Sequence, residues 1–321
     1  MPISSSSHRA RRLGAAPRGV SPIIVGLLAG LPAATAPASA HSVAGARLFV
    51  NTLLIDDPGV GDEAALPLVS MQSFDGKSTV TNANVEFDKT ITENFAIGAG
   101  TNFNWITVDP NDAGKTHGGF GDPYLSLKYR WIVLPQHEFM SAVAVRQAFG
   151  RGGTVGIQSG DDITTVSGYV GKGLGDIPID AIRPFALTAE LDYNIPDAGP
   201  SSAVGAPTFW TGGVTLQYSV PYLLSQIKSY SLPPILARLT PVVELAWSSA
   251  AGSSPRVTDG PPTTFLLGTG AIWTGEDYAV AAEILWPLNG ASGHGIGAIA
   301  QFHLYFDDLF PTTLGRPLVS W

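Results

Sequence analysis

The sequence predicts an all-β protein, a transmembrane antiparallel up-and-down β-barrel of about 12 strands. Three observations carry that prediction: a long segment of strict two-residue alternation, connections that alternate between short and long, and aromatic residues gathered near strand ends. The alternation is clearest in residues 119–133, GFGDPYLSLKYRWIV. Leu125, Leu127, Tyr129, Trp131 and Val133 fall on one side of an extended chain, with Ser126, Lys128 and Arg130 on the other. An apolar face ending in aromatics, opposed by a charged face, suits a strand with lipid outside and a wet lumen inside. A soluble sandwich also alternates, but it scatters its aromatics along the strand.

Twelve segments have this character, at residues 64–74, 79–89, 95–108, 122–133, 139–149, 163–174, 182–194, 208–220, 236–248, 264–274, 278–287 and 296–306. Each is close to the roughly 9–11 residues that a tilted membrane strand requires. Their faces follow from alternation. In the second, Ala83, Val85 and Phe87 point out and Asn82, Asn84 and Glu86 in; in the seventh, Phe185, Leu187, Ala189, Leu191 and Tyr193 point out against Thr188, Glu190 and Asp192. The eighth sets Trp210, Val214, Leu216 and Tyr218 outside, with Thr215, Gln217 and Ser219 inside. The tenth is apolar on both faces.

The connections at 90–94, 134–138 and 275–277 are tight, whereas 109–121, 150–162, 195–207 and 249–263 are long, polar and rich in Gly, Pro, Ser and Asp. Short periplasmic turns and long outer loops give this rhythm, and every long loop falls on one side when the chain is counted from a periplasmic N-terminus. The 175–181 connection is intermediate. The one at 221–235 is long on the short-turn side and reads as a small periplasmic helix. An even strand number returns the chain to its starting side, as closure without an exposed edge requires.

Residues 1–40 contain no acidic residue and carry Arg9, Arg11, Arg12 and Arg18 ahead of the apolar run 23–31; Ala38, Ser39 and Ala40 supply small cleavage-site residues. This reads as a secretory signal peptide cut before His41. The domain prediction is therefore a signal peptide at 1–40 and an outer-membrane barrel at 41–321, with strands at about 64–306 and a C-terminal tail at 307–321. Residues 43–54 read either as a short strand or as a periplasmic lead-in. The tail holds Pro311, Gly315 and Pro317 before the terminal Trp321. Either it folds back so that Trp321 acts as the aromatic end signal, or Phe306 closes the last strand and the tail hangs free.

Beyond residue 40 the chain carries 14 basic and 26 acidic residues, net −12, which argues against nucleic acid as a partner. There is no cysteine, hence no disulfide framework and no thiolate chemistry. With 30 aromatics and 45% hydrophobic residues, the 37 glycines and 25 prolines do not signal disorder. The histidines (His8, His41, His117, His137, His294 and His303) have no metal-ligand spacing. The glycine runs at 150–153 and 290–297 lack the Lys-Ser/Thr sequel and the strand-to-helix context of a phosphate cradle. No metal and no cofactor is expected.

The order Gly119, Gly121, Asp122, Leu125, Lys128, Tyr129, Arg130 resembles the glycine–glycine–aspartate to lysine–tyrosine–arginine strand of the outer-membrane barrel family labelled "meta-pathway of phenol degradation". A partial echo occurs at Gly173, Leu174, Gly175 and Asp176, and residues 55–68, IDDPGVGDEAALPL, are similar to N-terminal segments in such proteins. The resemblance implies transport of small hydrophobic or aromatic compounds.

The resulting expectation is an outer-membrane channel or transporter, not an enzyme, passing small solutes through a polar lumen. The lining is predicted to comprise Lys128, Arg130, Arg146, Glu190, Asp192, Gln217, Glu244, Glu283, Gln301 and His303. The inward carboxylates Glu190, Asp192, Glu244 and Glu283 are expected to face Lys128, Arg130 and Arg146 across it, as counter-charges and as a charge filter. The other readings are a non-conducting structural barrel that binds through its loops and, more remotely, a lipid-modifying enzyme using His303. The Asp-Gly-Ser-Asn-type run that accompanies the histidine of outer-membrane phospholipases is absent. Expected partners are outer-membrane lipid, a small solute and the outer-membrane assembly machinery; the expected state is a monomer.

Overall fold

The computed structural model describes residues 42–73, 78–108, 117–197, 207–251 and 262–319. The signal-peptide reading, His8, His41, Trp321 and much of three outer loops lie outside the described residues.

A closed, twelve-stranded antiparallel barrel of the transmembrane type accounts for most of the chain. A small hairpin precedes it, β1 (Ser42–Ala44) and β2 (Arg47–Phe49). The barrel then runs through β3 (Glu63–Ser73), β4 (Ser78–Thr92), β5 (Phe95–Val108), β6 (His117–Phe120), β7 (Tyr124–Leu134), β8 (Phe139–Ala148) and β9 (Asp162–Gly173). It continues through β10 (Phe185–Asp197), β11 (Phe209–Tyr218), β12 (Leu239–Ala250), β13 (Thr264–Thr274), β14 (Tyr278–Pro287) and β15 (Gly297–Tyr305). Neighbours in sequence are neighbours in the wall, and β15 pairs with β3 to close it. β6 and β7 pair with successive parts of β5 and form one stave interrupted at residues 121–123. All twelve predicted segments are present, each within a few residues of its expected bounds.

The exterior is apolar: Leu125, Val143, Val166, Leu187, Val214, Val243, Val280 and Ile284 are all exposed. Aromatic pairs stand on it at strand ends, as with Phe185 and Tyr218 (ring centres 4.9 Å) and Trp273 and Tyr278 (5.5 Å). This is the surface a barrel presents to lipid, with rings near the interfaces. Among the described residues no helix is long and apolar enough to cross a membrane.

One face assignment is corrected. A bulge between Arg130 and Ile132 breaks the alternation of β7. Trp131 stays outside, donating its indole N–H to Ser141 Oγ at 2.9 Å, while Val133 turns inward and packs beside Met140 and Ala186.

Three short helical pieces (Val220–Tyr222, Leu223–Ile227 and Pro234–Ala237) occupy the long connection on the short-turn side. The tail folds back. After a single helical turn at Phe306–Leu309, the backbone N–H groups of Leu318 and Val319 reach the carbonyls of Thr90 and Ile91. Lys89 holds the carbonyls of Leu314 and Arg316, at 2.9 and 2.8 Å.

Asp307 in that turn accepts the N–H of Asp62 at 2.8 Å. Burial first, and the Asp62 carboxylate second, push its pKa up to about 7. The folded state therefore retains the proton above the pH at which the unfolded chain releases it, so the net contribution of Asp307 to stability is greatest below about pH 4 and falls as pH rises through 7. The thermal midpoint of the wild-type protein is expected to fall across that window and the Asp307→Asn midpoint to fall less. Equal slopes would show that Asp307 does not set the dependence.

Candidate functional site

The lumen is occupied by the protein's own N-terminal segment. The hairpin β1–β2 seats at the short-turn end of the barrel. Residues 50–62 then climb to mid-height and return to the start of β3. Of the two readings of residues 43–54, a short strand or a periplasmic lead-in, the first holds for the short strands β1 and β2, and neither describes the rest, which continues as an internal plug.

Its anchor is Arg47, which is fully buried. The guanidinium donates to Glu138 Oε2 (3.2 Å), to the Pro184 carbonyl (3.0 Å) and to the Arg183 carbonyl (2.5 Å), and it stacks 3.7 Å from the centre of the Tyr222 ring. Burial lowers its pKa and the Glu138 carboxylate opposes that shift. Glu138 sits at a tight turn with a left-handed φ of 45° and also accepts the Gly175 N–H at 2.9 Å. Close approach explains the glycines opposite. A Cβ on Gly173 would lie 2.1 Å from Glu138 Oε2 and 2.6 Å from Arg47 Nε, and one on Gly171 would press on Phe49 and Pro58.

Above the anchor the plug packs on one side and hydrogen-bonds on the other. Val50 and Leu53 join Val242, Ile272, Ala281, Leu285 and Ile299 in a buried apolar cluster against β12–β15, with Leu54 and Leu266 at its edge. Phe49 and Ala44 form a second with Met140 and Ala186. Each large apolar side chain so buried contributes about 1.5–3 kcal/mol. The expectation of a polar lumen is corrected here: the β12–β15 wall is apolar inside because plug side chains cover it. The same contact explains why β13 is apolar on both faces.

The plug's backbone is held by carboxylates of the wall. Glu244, fully buried, accepts the N–H of Leu53 (2.8 Å) and of Leu54 (3.0 Å). Glu190 accepts that of Asp56 at 2.7 Å, and Gln217 meets the N–H and C=O of Val50 at 3.4 and 3.5 Å. Lys128 closes the crest, donating to Asp56 Oδ2 (2.8 Å) and the Asp57 carbonyl (2.6 Å), with its ammonium 4.6 Å from the Tyr169 ring centre. Within the crest, Ser42 donates to Asp57. At the descending end Asp62 binds Lys89 (2.7 Å) and both the N–H and hydroxyl of Thr90 (2.8 and 2.6 Å).

The expected pairing of inward carboxylates with Lys128, Arg130 and Arg146 gives way to other partners. Arg130 is buried near the rim and donates to Asn94 Oδ1 (3.0 Å) and the Glu93 carbonyl (2.8 Å), bracing a turn. Arg146 lies 3.5 Å from Glu86 and 4.5 Å from the centre of the Tyr124 ring. Asp192 accepts the Thr211 hydroxyl at 2.9 Å. Glu283 is buried on β14 against Gly268 and Gly270. His303 meets Glu63 at 2.9 Å and stacks on Tyr305, whose hydroxyl donates to Asn51 at 2.9 Å. Among the described residues no serine hydrogen-bonds to His303.

Over the crest lies a cavity of about 490 Å³. Its walls include Asp88, Lys128, Arg146, Glu190, Asp192, Gln301 and His303, and its floor is the plug from Asn51 to Gly61. Lys128, Arg146, Glu190, Asp192, Gln301 and His303 are thus brought together, whereas Arg130, Gln217, Glu244 and Glu283 stand apart from the cavity. Sequence reasoning pointed Glu86 inward without naming it among the lining residues, and it missed Arg47, Asp56, Glu63, Asp88 and Glu138. Of these, Asp88 follows from the alternation of β4, and the plug residues from nothing periodic.

No protein-family model matches the chain, and no curated protein does. Among solved structures it is similar to the KdgM porin (TM-score 0.46, 7% identity, covering 76% of this chain and 99% of that one). It is also similar to the NanC porin (0.45, 8%, 76% and 98%) and to LpxR from Salmonella typhimurium (0.41, 9%, 76% and 100%).

Proposed function

We propose that the protein is an outer-membrane barrel that passes small solutes and whose conduit is closed by its own N-terminal segment. The observation that carries this reading is the plug itself. It occupies the lumen with no disulfide to the wall, held through backbone hydrogen bonds to Glu244 and Glu190, beneath a polar cavity. Hydrogen bonds of this kind contribute about 1–3 kcal/mol each, enough to hold the segment and little enough to let it move. The apolar exterior and the strand-end aromatics support lodging in the outer membrane, reached through the assembly machinery that inserts such barrels, as a monomer. The family resemblance supports a small hydrophobic or aromatic solute, for which Leu54, Leu266 and Tyr169 offer apolar surface at the cavity.

The second reading, a barrel that conducts nothing and acts through its loops, draws on the apolar packing of Val50 and Leu53. A disulfide separates the two. The chain has no cysteine, and a Cβ on Gly171 would lie 3.0 Å from Pro58 Cγ, within reach of a Cβ–Cβ span of about 3.5–4.5 Å. The Pro58→Cys/Gly171→Cys protein in proteoliposomes is expected to show background solute flux when oxidised and restored flux when reduced. Background flux in both states, with wild type equally silent, would replace the conduit by the non-conducting barrel.

A further inference from the structure

The long connection between β11 and β12, on the short-turn side of the wall, carries an apolar surface that the barrel leaves uncovered. Its first part is packed: the Ser219 N–H reaches the Pro184 carbonyl, and Tyr222 is buried against the Arg47 guanidinium. Its second part is not. Residues 228–236, KSYSLPPIL, are exposed throughout, and they include Tyr230, Leu232, Ile235 and Leu236, with Ile235 at 66%. A cluster of large apolar side chains held out from the fold marks a surface of contact.

The place of this segment in the fold points to what covers it. Both strands it joins face lipid on their outer side, through Val214 and Leu216 on β11 and Val243 on β12. At the β12 end the Arg238 guanidinium lies 5.8 Å from the centre of the Trp273 ring, which packs with Tyr278 on the barrel's exterior. The Thr274 N–H reaches the Arg238 carbonyl at 3.1 Å and fixes this end to the rim. Ile235 and Leu236 belong to the helical turn Pro234–Ala237, immediately ahead of Arg238. They therefore continue the lipid-facing belt at its edge.

Charge points to the same occupant. The chain is net −12 beyond residue 40, yet no acidic residue occurs between Asp197 and Glu244. The bases of that stretch are Lys228 and Arg238, and each lies beside an aromatic face: Lys228 Nζ is 5.3 Å from the centre of the Tyr230 ring. Arg238 meets Glu276 at 3.1 Å with both side chains exposed, a pair that holds the guanidinium only weakly. Cations and rings at headgroup level, with aliphatic side chains beneath them, suit the surface of a phospholipid leaflet, and the cations favour an anionic one.

We infer that residues 228–238 lie in the headgroup region of the periplasmic leaflet and bind anionic phospholipid, with Lys228 and Arg238 on the phosphates and Leu232, Ile235 and Leu236 at the acyl boundary. The inference rests on the barrel lodging in a bilayer and not on the passage of solutes. Because the chain has no cysteine, Ile235→Cys and Val243→Cys each accept a single nitrobenzoxadiazole fluorophore. In lipid nanodiscs the label at position 235 is expected to be shielded from iodide. Spin-labelled phosphatidylglycerol should quench it at least about twofold more than spin-labelled phosphatidylcholine at the same mole fraction. Adding Lys228→Gln/Arg238→Gln is expected to equalise the two lipids while heat-modifiable gel mobility is kept.

The label at position 243, on the outer face of β12, reports lodging by itself. If lipid does not quench it, the barrel is not in the bilayer, and the inference falls with that reading. Iodide access at position 235 beside a lipid-quenched position 243 would instead turn this face to the periplasm, as a surface for a soluble protein or a second copy, and would overturn the inference alone. Equal quenching by the two lipids with Lys228 and Arg238 in place would also overturn it. That comparison uses no charge variant, so it stands even if the double substitution fails to fold.

Discussion

A chain beginning at Asp62, with the hairpin and the 50–61 loop removed, is expected to form steady open channels in planar bilayers, with conductance at least about tenfold above the wild-type mean. Every wall strand starts at or after Glu63, so the hydrogen-bonded cylinder remains complete. What the deletion removes is the apolar filling of Val50, Leu53 and Phe49 and the crest that floors the cavity. Water then reaches the inner faces of β12–β15. Conductance unchanged from wild type would mean that side chains of the wall, and not the N-terminal segment, block the lumen.

Arg47→Met is expected to unlatch the same segment with the full chain present. The substitution removes three hydrogen bonds and leaves Glu138, 5% exposed, as a buried carboxylate without its cation. Breaking one side of such a pair costs about 3–5 kcal/mol. The loss falls on hairpin docking, because the wall strands do not pass through Arg47. Amide exchange at Leu53, Leu54 and Asp56 should accelerate by about two orders of magnitude or more, while wall amides on β9–β12 keep their protection. Uniform loss of protection would instead make Arg47 a determinant of the whole barrel. No change would make it dispensable.

The wall was legible because a strand with lipid on one side and a lumen on the other writes its faces at period two. Both β13 and β14 match their predicted limits. Where the geometry departs from period two, the sequence is silent. The bulge at Trp131 leaves no mark in YRWIV, and it turned Val133 inward against expectation. Arg130 was correctly inward, but its height on the stave set its partners, the turn at Glu93 and Asn94 and not a carboxylate across the lumen.

The plug was invisible for a different reason. Residues 50–62, VNTLLIDDPGVGD, have no regular hydrogen bonding of their own; they use acceptors on the wall, so no periodicity betrays them. Its imprint on the wall was readable in principle. An empty aqueous lumen gives no reason for Ile272 and Leu266 to point inward from a strand already apolar outside, nor for Gly171 and Gly173 to alternate on an inner face. A barrel strand apolar on both faces signals an occupied interior.

The occupied interior is tested most directly by the exchange of two backbone amides. The N–H groups of Leu53 and Leu54 are 2.8 and 3.0 Å from Glu244, a residue of β12 that is 191 and 190 positions away in sequence. In wild-type protein in lipid nanodiscs these amides should exchange as slowly as buried wall amides and should lose that protection in Glu244→Ala. Exchange at the rate of an unstructured chain in the wild type would mean that the segment does not reside in the lumen, and the plugged conduit would fall with it.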